Sequence, residues 1–382
     1  MRSEYNVSLD LQKKLINELS KRSDTEALRI KHYLGMPDLS RTPGNPINEI
    51  VQKVLSAPSF RDLDIIETPE IVPADISFDL FDFPIDHPAR SKSDTYYVDE
   101  KNILRTHTTV MWYYYLLEAD VKEKMSKNEP VGCFSFGKVY RKDEIDRHHM
   151  NVFHQIDGWY LAPKEIEIID KNYLQKVLQT IVVAVFGESA TARYNPDEFP
   201  YTDPSLEVEI NKDGNWVEVV GSGVVKGTVL EKFGVDSKKW NGWAFGFGLE
   251  RLAIASMNLP DIRLLWSEDE RVRKQLKLGT NFKEVSKFPP VIRDISFVVP
   301  KSFIPNDYYD RIRSIGEGFV EEVKLLDKYE NSEKFGEDNI SYTFRIIYRH
   351  LEKTLTNSEV NALHSQIEDI TTKEFGGMLR IS

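Results

Sequence analysis

Apolar side chains along the chain recur partly at helical and partly at strand spacing, which predicts a mixed α+β protein. Residues 8–34 predict one or two amphipathic helices, and another helix is expected after Asn45-Pro46. Residues 131–162 predict two extended segments around a polar loop, followed by a core helix over 165–186 with Ile166 on its apolar side. Strands are expected in SLEVEI and NWVEVVGSG, joined by the turn KDG, and GWAFGFGLERLAIASM predicts a strand that runs into a helix.

The C-terminal part of the chain, from near Lys287, predicts a separate small domain. Strands are expected in VIRDISFVV, VEEVKLLDKY, ISYTFRIIYRH and GMLRI, with helices at 305–315 and after a capping box of Thr356 and Glu359. The order β-α-β-β-α-β is that of a ferredoxin-like sandwich. The predicted organisation is an N-terminal helical segment (1–44), a larger domain (45–284) and a ferredoxin-like domain (285–382).

Composition and charge exclude several classes of protein. No apolar run approaches the ~18 residues that a membrane span needs. The single cysteine, Cys133, excludes an internal disulfide and a zinc site built from several cysteines. The net charge is −11, whereas a protein living mainly on nucleic acid would usually be basic, so any RNA contact is expected at a local patch.

Residues 1–30 mix acidic and basic side chains and lack an apolar centre, so neither a transit peptide nor a secretory signal is visible. The expected location is the cytoplasm. The mitochondrial matrix, after removal of a presequence, remains the alternative.

The polar hairpin YRKDEIDRHHMNVFHQIDGWYL carries the strongest chemical signal. Because alternate side chains of a strand share a face, Phe153, Gln155 and Asp157 point one way and His154 the other. If the two extended runs pair, Arg141 joins the first three side chains. A cation, an aromatic plate, an amide and a carboxylate then lie together, which suits a phosphate, a nucleobase and an ammonium. The alternative is a solvated hairpin.

The histidines of this hairpin do not predict a zinc site. Adjacent loop side chains such as His148 and His149 rarely reach one metal, and His154 points away from Phe153 and Gln155. A second signal lies in GFGLERL, where Gly248 permits close approach of a ligand and Arg251 falls in the first turn of a helix. Together with the hairpin arginine this suits a nucleoside triphosphate, although Arg251 alone is equally compatible with a surface cation.

Taken in order, these strings resemble a known family. GKVYRKDEIDRHHMNVFHQIDG is similar to motif 2 of the class II aminoacyl-tRNA synthetases, and GWAFGFGLERLAI is similar to motif 3. LRTHTT, FPYTDPSLEVEI, WVEVVGSGVV and LPDIRLLWSEDERVRKQL resemble the phenylalanyl-tRNA synthetases in particular. The C-terminal part resembles their ferredoxin-like anticodon-binding domain, and both parts on one chain resemble the single-chain, mitochondrial-type form. The resemblance covers roughly residues 45–382.

The resemblance implies an α+β fold in which helices flank an antiparallel class II sheet, with the ferredoxin-like (βαββαβ) domain appended. It also implies a ligase reaction in two steps. Phenylalanine attacks the α-phosphate of ATP to give phenylalanyl-adenylate and pyrophosphate, and the acyl group then passes to the 2′-hydroxyl of the terminal ribose of tRNA(Phe). Mg²⁺ is implied as the cofactor that accompanies ATP. The partners implied are ATP, phenylalanine and tRNA(Phe), with no membrane, and the chain is expected to be a monomer.

The same resemblance gives roles to individual residues. The expected catalytic residues are Arg141, at the α-phosphate, and Arg251, at the far end of the triphosphate. The expected ATP site comprises Arg141, Asp143, His149, Phe153, Glu207, Glu218, Gly248 and Arg251, with Glu207 and Glu218 also as Mg²⁺ ligands. The expected phenylalanine site comprises His107, Thr109, Gln155, Asp157, Phe199, Tyr201 and Ala244. The expected anticodon contacts are Arg293, Arg345 and Arg349.

Some of these residues also have a purely structural explanation. Phe199, Tyr201 and Ala244 also suit an ordinary core, and each arginine of the C-terminal part also suits a solvated outer face. Four positions depart from the commoner family pattern, with aspartate for glutamate at 157, threonine for serine at 109, tyrosine for phenylalanine at 201 and serine for cysteine at 222. All are conservative, so activity is expected, and measurable activation of tyrosine is expected as well.

Two other functions remain open. The chain is compatible with a paralogue that binds tRNA without ligating it, although intact Arg141, Gln155 and Arg251 speak against this. It is also compatible with a catalytic subunit that needs a partner, although the fused C-terminal domain speaks for independence.

Overall fold

The computed structural model describes residues 2–144, 146–212, 214–284, 288–316, 318–350 and 352–380. They form two compact units, one of Met1–Tyr140, Val152–Leu259 and Leu276–Asn281, the other of Arg141–Asn151, Pro260–Gln275 and Phe282–Ser382. Three expected features lie partly outside the described residues: the domain start near Lys287, the turn at Asp213 and the end of the last strand at Ile381. The expected domain boundaries after residues 44 and 284 stay predictions.

The first unit is built on a large sheet. Its strands are β1 (Glu4–Asn6), β2 (Asp64–Glu67), β3 (Ile71–Pro73), β4 (Asn102–Leu104), β5 (Val131–Tyr140), β6 (Val152–Pro163), β7 (Ala192–Phe199), β8 (Thr202–Lys212), β9 (Asn215–Val225) and β10 (Trp240–Gly248). Eight of them form one sheet in the order β1-β2-β5-β6-β10-β9-β8-β7, while β3 and β4 pair separately. The β1–β2 and β2–β5 pairs are parallel, and the remaining pairs of the large sheet are antiparallel.

Helices of the first unit flank this sheet. They are α1 (Asp10–Ser20), α2 (Thr25–Gly35), α3 (Pro46–Leu55), α4 (Ala74–Phe78), α5 (Met111–Tyr115), α6 (Ala119–Ser126), α7 (Lys171–Phe186), α8 (Gly227–Lys232) and α9 (Leu249–Met257). The helix expected after Asn45-Pro46 is confirmed: Asn45 accepts the Ile47 N–H and Pro46 occupies the first turn, where its missing N–H costs nothing. Helices α3, α7 and α9 form one layer, which contacts β6 and β9.

The helix expected over 165–186 begins later than predicted. The Asp170 side chain accepts the Tyr173 N–H at 2.8 Å, so the helix starts at Lys171. Ile166 and Ile168 lie before this start and are 57% and 63% exposed, so the expected place of Ile166 on the apolar side of the helix is wrong. The prediction rested on apolar spacing alone, and it therefore included in the helix the connecting segment that follows β6.

The second unit contains the expected ferredoxin-like fold, which is confirmed. Its elements are α10 (Glu270–Arg273), β11 (Val291–Pro300), α11 (Pro305–Ile315), β12 (Val320–Tyr329), α12 (Ser332–Phe335), β13 (Asn339–Tyr348), α13 (Asn357–Lys373) and β14 (Met378–Leu379). The strands form an antiparallel sheet in the order β12-β13-β11-β14. Phe297, Tyr308, Phe344 and Ile367 are buried in its core, and the capping box of Thr356 begins α13 as predicted. Within the described part of the chain, no helix is both long and apolar enough to cross a membrane.

Candidate active site

Strand register brings chemically important side chains onto one face of the large sheet. Asp157 on β6 pairs with Gly246 on β10, Gly246 pairs with Gly221 on β9, and Gly221 pairs with Glu207 on β8. Directly paired residues point to the same side, and every second residue of a strand does so too. Asp157, Glu207 and Ala244 therefore share a face, which we call the site face.

A buried carboxylate lies on the site face. Asp157 is 3% exposed, and the Thr109 hydroxyl donates to its Oδ2 at 2.5 Å. Gly246 is required opposite it, because a Cβ there would lie 2.3 Å from Asp157 Oδ1. Gln155 shares the face, and its Oε1 is buried and accepts no hydrogen bond from the described residues. The two acceptors suit a cation with N–H donors, such as an ammonium.

Aromatic rings surround the neighbouring part of the site face. The rings of Phe199 and Tyr201 stack with centroids 6.0 Å apart, and Phe199 covers Gly221, where a Cβ would lie 2.8 Å from the ring. Tyr201 meets Trp112 edge to face, and Ala244, 4% exposed, belongs to the same buried cluster. The structure thus brings the expected aromatic pair and small residue together within one apolar cluster.

His107 and Thr109 enter the site from the segment that follows β4. His107 Nε2 lies 3.2 Å from the Ser77 carbonyl oxygen, and the His107 ring contacts Phe81 edge to face at 5.7 Å. His107 is therefore held by its neighbours at the aromatic side, while Thr109 reaches Asp157.

Phe153 and Arg251 occupy the end of β6 and the start of α9. A Cβ at Gly248 would lie 4.0 Å from the Phe153 ring, so this ring lies beside the end of β10. Arg251 Nη1 pairs with Glu218 Oε2 at 2.9 Å, and both side chains are about half exposed, at 50% and 49%. An aromatic plate and a solvent-accessible guanidinium in this arrangement suit a base and a phosphate chain.

Three carboxylates line the far side of the site face. Glu209 is paired with Arg193 and also accepts from Asn195, and the Arg193 hydrogen bond lowers the pKa of Glu209. Glu207 Oε1 accepts from Asn195 Nδ2 at 2.9 Å. Glu218 also has an arginine partner, Arg251, but both of these side chains are about half exposed. Glu207 and Glu218 are the two carboxylates expected as ligands of a divalent cation, whose preferred ligands are oxygens.

A β-bulge places Glu218 on the site face. Val208 pairs with Val220, but the next residue of β8, Glu209, pairs with Glu218, so Val219 is the extra residue of β9. Val219 is buried at 2% exposed. Without the bulge, strict alternation would turn Glu218 away from Glu207.

The loop that carries Arg141, Asp143 and His149 belongs to the second unit. Asp146 accepts the backbone N–H groups of His148 and His149 at 2.6 and 2.8 Å, and His149 Nδ1 lies 2.8 Å from Asp146 Oδ2. Asp146 therefore orders the centre of the loop.

Ionic contacts hold this loop within its unit. Lys142 Nζ lies 3.1 Å from Asp307 Oδ1, and Asn151 Nδ2 donates to Asp310 Oδ1 at 2.7 Å. The buried Glu321 forms an ion pair with Arg147, with 2.7 Å between Oε1 and Nε. Three separate points of helix α11 and strand β12 thus contact the loop.

The arginines expected at the anticodon have intramolecular partners. Arg345 on β13 makes two 2.8 Å hydrogen bonds to Asp294, which lower the pKa of that carboxyl. Arg349 lies beyond the end of β13 and pairs with Glu321 at 2.7 Å. Arg293 donates to two asparagine side chains of α13 at 3.1 Å each.

Sequence reasoning missed strand β7, which contributes Arg193 and Asn195. Its sequence ARYNPDEF contains a proline and few apolar residues, so only its position before the strand SLEVEI hinted at pairing. As for metals, the described residues contain no group of three or more His, Cys, Asp or Glu that could hold one.

Comparison with known proteins identifies the family. Residues 34–276 match the family described as tRNA synthetases class II core domain (F), and residues 286–380 match the Ferredoxin-fold anticodon binding domain. The chloroplastic/mitochondrial phenylalanine–tRNA ligase of Arabidopsis thaliana is 38% identical over 321 residues, covering 81% of this chain and 71% of the relative. This chain belongs to the phenylalanine–tRNA ligase family.

Two further relatives of the synthetase carry similar names. The mitochondrial phenylalanine–tRNA ligase of Mus musculus is 35% identical over 349 residues, covering 81% of this chain and 74% of the relative. That of Saccharomyces cerevisiae is 33% identical over 383 residues, covering 80% of each chain. The expected fold class and the expected enzyme class, an aminoacyl-tRNA synthetase, are both confirmed.

Proposed function

We propose that the synthetase activates phenylalanine with ATP and transfers it to the 2′-hydroxyl of the terminal ribose of tRNA(Phe). The observation that supports phenylalanine as the substrate is the buried Asp157 beside the stacked rings of Phe199 and Tyr201. A carboxylate with aromatic rings next to it matches an ammonium and a benzyl side chain on one small molecule. Gln155 supplies a second acceptor for the ammonium, and Ala244 limits the space for a para substituent.

In the first step, the substrate carboxylate attacks the α-phosphate of ATP. Phe153 holds the adenine by stacking, Arg141 stabilises the charge that develops at the α-phosphate, and Arg251 holds the far end of the triphosphate. Glu218 pairs with Arg251 across a half-exposed contact, so phosphate oxygens can compete with this carboxylate for the guanidinium. His149 and Asp143 belong to the same loop as Arg141 and complete the proposed nucleotide contacts.

Class II synthetases use ATP with Mg²⁺, and the acidic side of the site face fits this ion. Glu207 and Glu218 are the residues that would hold it, since Mg²⁺ in nucleotide sites takes one or two carboxylates and completes its shell with phosphate oxygens and water. Bound Mg²⁺ neutralises phosphate charge and so favours the attack. No role for zinc is proposed.

We also propose that the ferredoxin-like domain reads the anticodon and that the chain works as a monomer. Arg345 presents a guanidinium on the sheet face opposite the core helices, where Asp294 fixes it through two hydrogen bonds, and this favours contact with RNA phosphates or bases. Arg349 is a weaker candidate, because its side chain is 27% exposed against 41% for Arg345, and Arg293 is weaker because it donates to two side chains of α13. Size-exclusion chromatography of active enzyme tests the oligomeric state.

The relatives' names favour the mitochondrial matrix over the cytoplasm as the location. Fractionation of the source cells tests this.

The deciding experiment is pyrophosphate exchange with ATP and each standard amino acid in turn. Phenylalanine should support exchange, and Arg251→Ala should slow it about 100- to 1,000-fold, leaving a measurable residual rate, because the triphosphate loses its distal contact. Arg311→Ala is the matched control, since Arg311 also pairs with a glutamate, Glu374, but lies on α11 of the second unit. Absence of exchange with every amino acid, from a folded wild-type chain, would favour the paralogue that binds tRNA without ligating it.

A further inference from the structure

A buried histidine links three distant segments behind the site face. His154 on β6 is fully buried, and its Nδ1 lies 2.6 Å from Glu250 Oε1 in the first turn of α9. Its Nε2 accepts the Leu39 N–H at 2.9 Å. Since Nε2 accepts, the proton of the neutral ring is on Nδ1 and is donated to Glu250. The segment before α3, strand β6 and helix α9 are thus joined through one imidazole.

Glu250 makes more than one bond to this strand. Its two oxygens accept the His154 backbone N–H at 3.0 and 2.8 Å, and the residue is only 3% exposed. The hydrogen-bonded ladder between β10 and β6 ends at the pair of Gly248 and Gln155. Beyond it, the Glu250 carboxylate binds the backbone of β6 in place of a strand. A carboxylate in the first turn is also favoured by the helix dipole.

The neighbours of these two residues carry the nucleotide and amino acid contacts. Phe153 and Gln155 flank His154 on β6 and point to the site face, while Arg251 directly follows Glu250. Arg251 itself is half exposed, and among the described residues its side chain has one ion-pair partner, Glu218. Surface pairs are weak restraints, so the direction of the Arg251 side chain depends on how firmly the first turn of α9 is placed.

We propose that His154 is a positioning residue for adenylate formation: its bond to Glu250 fixes the start of α9, and hence Arg251, relative to the strand that carries Phe153 and Gln155. The inference rests on the proposed function, because it assumes that Arg251 holds the triphosphate. His154 touches neither substrate and acts only through Arg251. Its Leu39 bond serves a second purpose, which is to keep the ring in the tautomer that donates to Glu250.

Two substitutions separate the two bonds of His154. In His154→Asn the side-chain amide nitrogen occupies the place of Nδ1 and can still donate to Glu250, whereas the Leu39 N–H loses its acceptor. In His154→Gln the amide reaches the place of Nε2 and can accept from Leu39, whereas Glu250 loses its donor. The proposal therefore expects His154→Gln to be the more damaging variant, although it is closer in size to histidine.

The test is phenylalanine-dependent pyrophosphate exchange by the full chain, as a double-mutant cycle with Arg251→Ala. His154→Gln should lower kcat about 10- to 100-fold, since small displacements of a positioned group have effects of this order. The KM of His154→Gln for phenylalanine should differ from that of wild type by less than about threefold. The His154→Asn variant should keep most of the wild-type kcat. In the Arg251→Ala background, His154→Gln should cost almost nothing more, because residues acting through one another are not additive.

A matched control variant and a measurement of the transfer step test whether the effect is specific to adenylate formation. His364→Gln changes another hydrogen-bonded histidine, one whose Nδ1 lies 2.8 Å from the Tyr348 hydroxyl in the second unit, and should leave exchange unchanged. Transfer of phenylalanine from preformed, enzyme-bound adenylate to tRNA(Phe) needs no triphosphate. Its rate in His154→Gln should therefore stay within about threefold of wild type.

Several outcomes would overturn the proposal. These are an unchanged kcat in His154→Gln, a loss that is equally large with and without Arg251, or an equal loss in the transfer step. If His154→Gln does not fold, Glu250→Gln removes the anionic acceptor within the same volume and takes its place in the cycle. Failure of both to fold would assign the linkage to folding instead. Inactive wild-type enzyme would refute the proposed function itself, which separates the two failures.

Discussion

Replacing the buried carboxylate of the site face tests how the synthetase recognises its amino acid. In Asp157→Asn the shape is conserved and an oxygen remains to accept the Thr109 hydroxyl, so the change removes mainly the negative charge. Asp157 is 3% exposed, so water screens its attraction to an ammonium only weakly. The variant should therefore bind phenylalanine poorly while keeping its fold.

The size of the effect follows from the burial. Removing one member of a buried, hydrogen-bonded charge pair costs about 2–5 kcal/mol. Because asparagine still offers one acceptor oxygen and Gln155 lies on the same face, we expect the lower part of this range, about 2–3 kcal/mol. At ~1.4 kcal/mol per factor of ten, kcat/KM for phenylalanine should fall about 30- to 150-fold. Most of the change should be in KM, since the ammonium contact is the same in ground and transition states.

The assay is exchange kinetics with phenylalanine varied at saturating ATP. Asp170→Asn is the control, because Asp170 caps α7, where asparagine serves as well as aspartate. A change in kcat/KM below about threefold for Asp157→Asn would refute the assignment of the ammonium site, since leaving a buried ammonium without its carboxylate costs more than this.

Three further predictions concern the metal, the ring pocket and the C-terminal domain. Glu218→Gln should raise the Mg²⁺ concentration for half-maximal exchange about tenfold, and an unchanged Mg²⁺ titration would exclude this carboxylate as a ligand. Tyrosine should support exchange at roughly 1% of the kcat/KM of phenylalanine, because an apolar pocket rejects an added hydroxyl only about a hundredfold; discrimination beyond ~10⁴ would contradict this. Burial lowers the pKa of His364, so the unfolded chain binds more protons than the folded one near pH 6.5. The free energy of unfolding should therefore fall as the pH drops below about 6.5, and His364→Gln should flatten this dependence in urea titrations.

Much of the site could be predicted because it depends on local geometry. The side chains of a strand alternate between its two faces whatever the strand packs against. This alternation placed Gln155 and Asp157 of β6 on one face without knowledge of their tertiary contacts. Another local signal, the glycines of GFGLERL, located the change from β10 to α9 and hence the start of the helix that carries Arg251.

The remaining features depend on contacts that no local pattern encodes. The link between His154 and Glu250 spans 96 positions, and the polar loop after β5 has ionic partners about 160 positions away, such as Lys142 with Asp307, 165 positions apart. Helix α7 was expected too early because Ile166 fits helical spacing, while the cap at Asp170 decided the actual start. Hydrophobic spacing reports which side of an element is apolar, whereas caps, bulges and ion pairs decide where the element begins and what it faces.

The bulge at Val219 means that the acidic side of the site depends on strand register as much as on residue type. If Val219 paired with Glu209 in a regular ladder, Glu207, Glu209 and Glu218 would all be kept in the chain but Glu218 would turn to the opposite face of β9. Deleting Val219 would instead remove the bulge and leave Glu218 opposite Glu209. A relative could therefore lack this residue and keep the cation site, whereas a relative of equal length without the bulge would lose the site or move it. Comparison of such sequences should weigh how β9 pairs with β8, because three conserved acids do not by themselves conserve the face that Glu218 occupies.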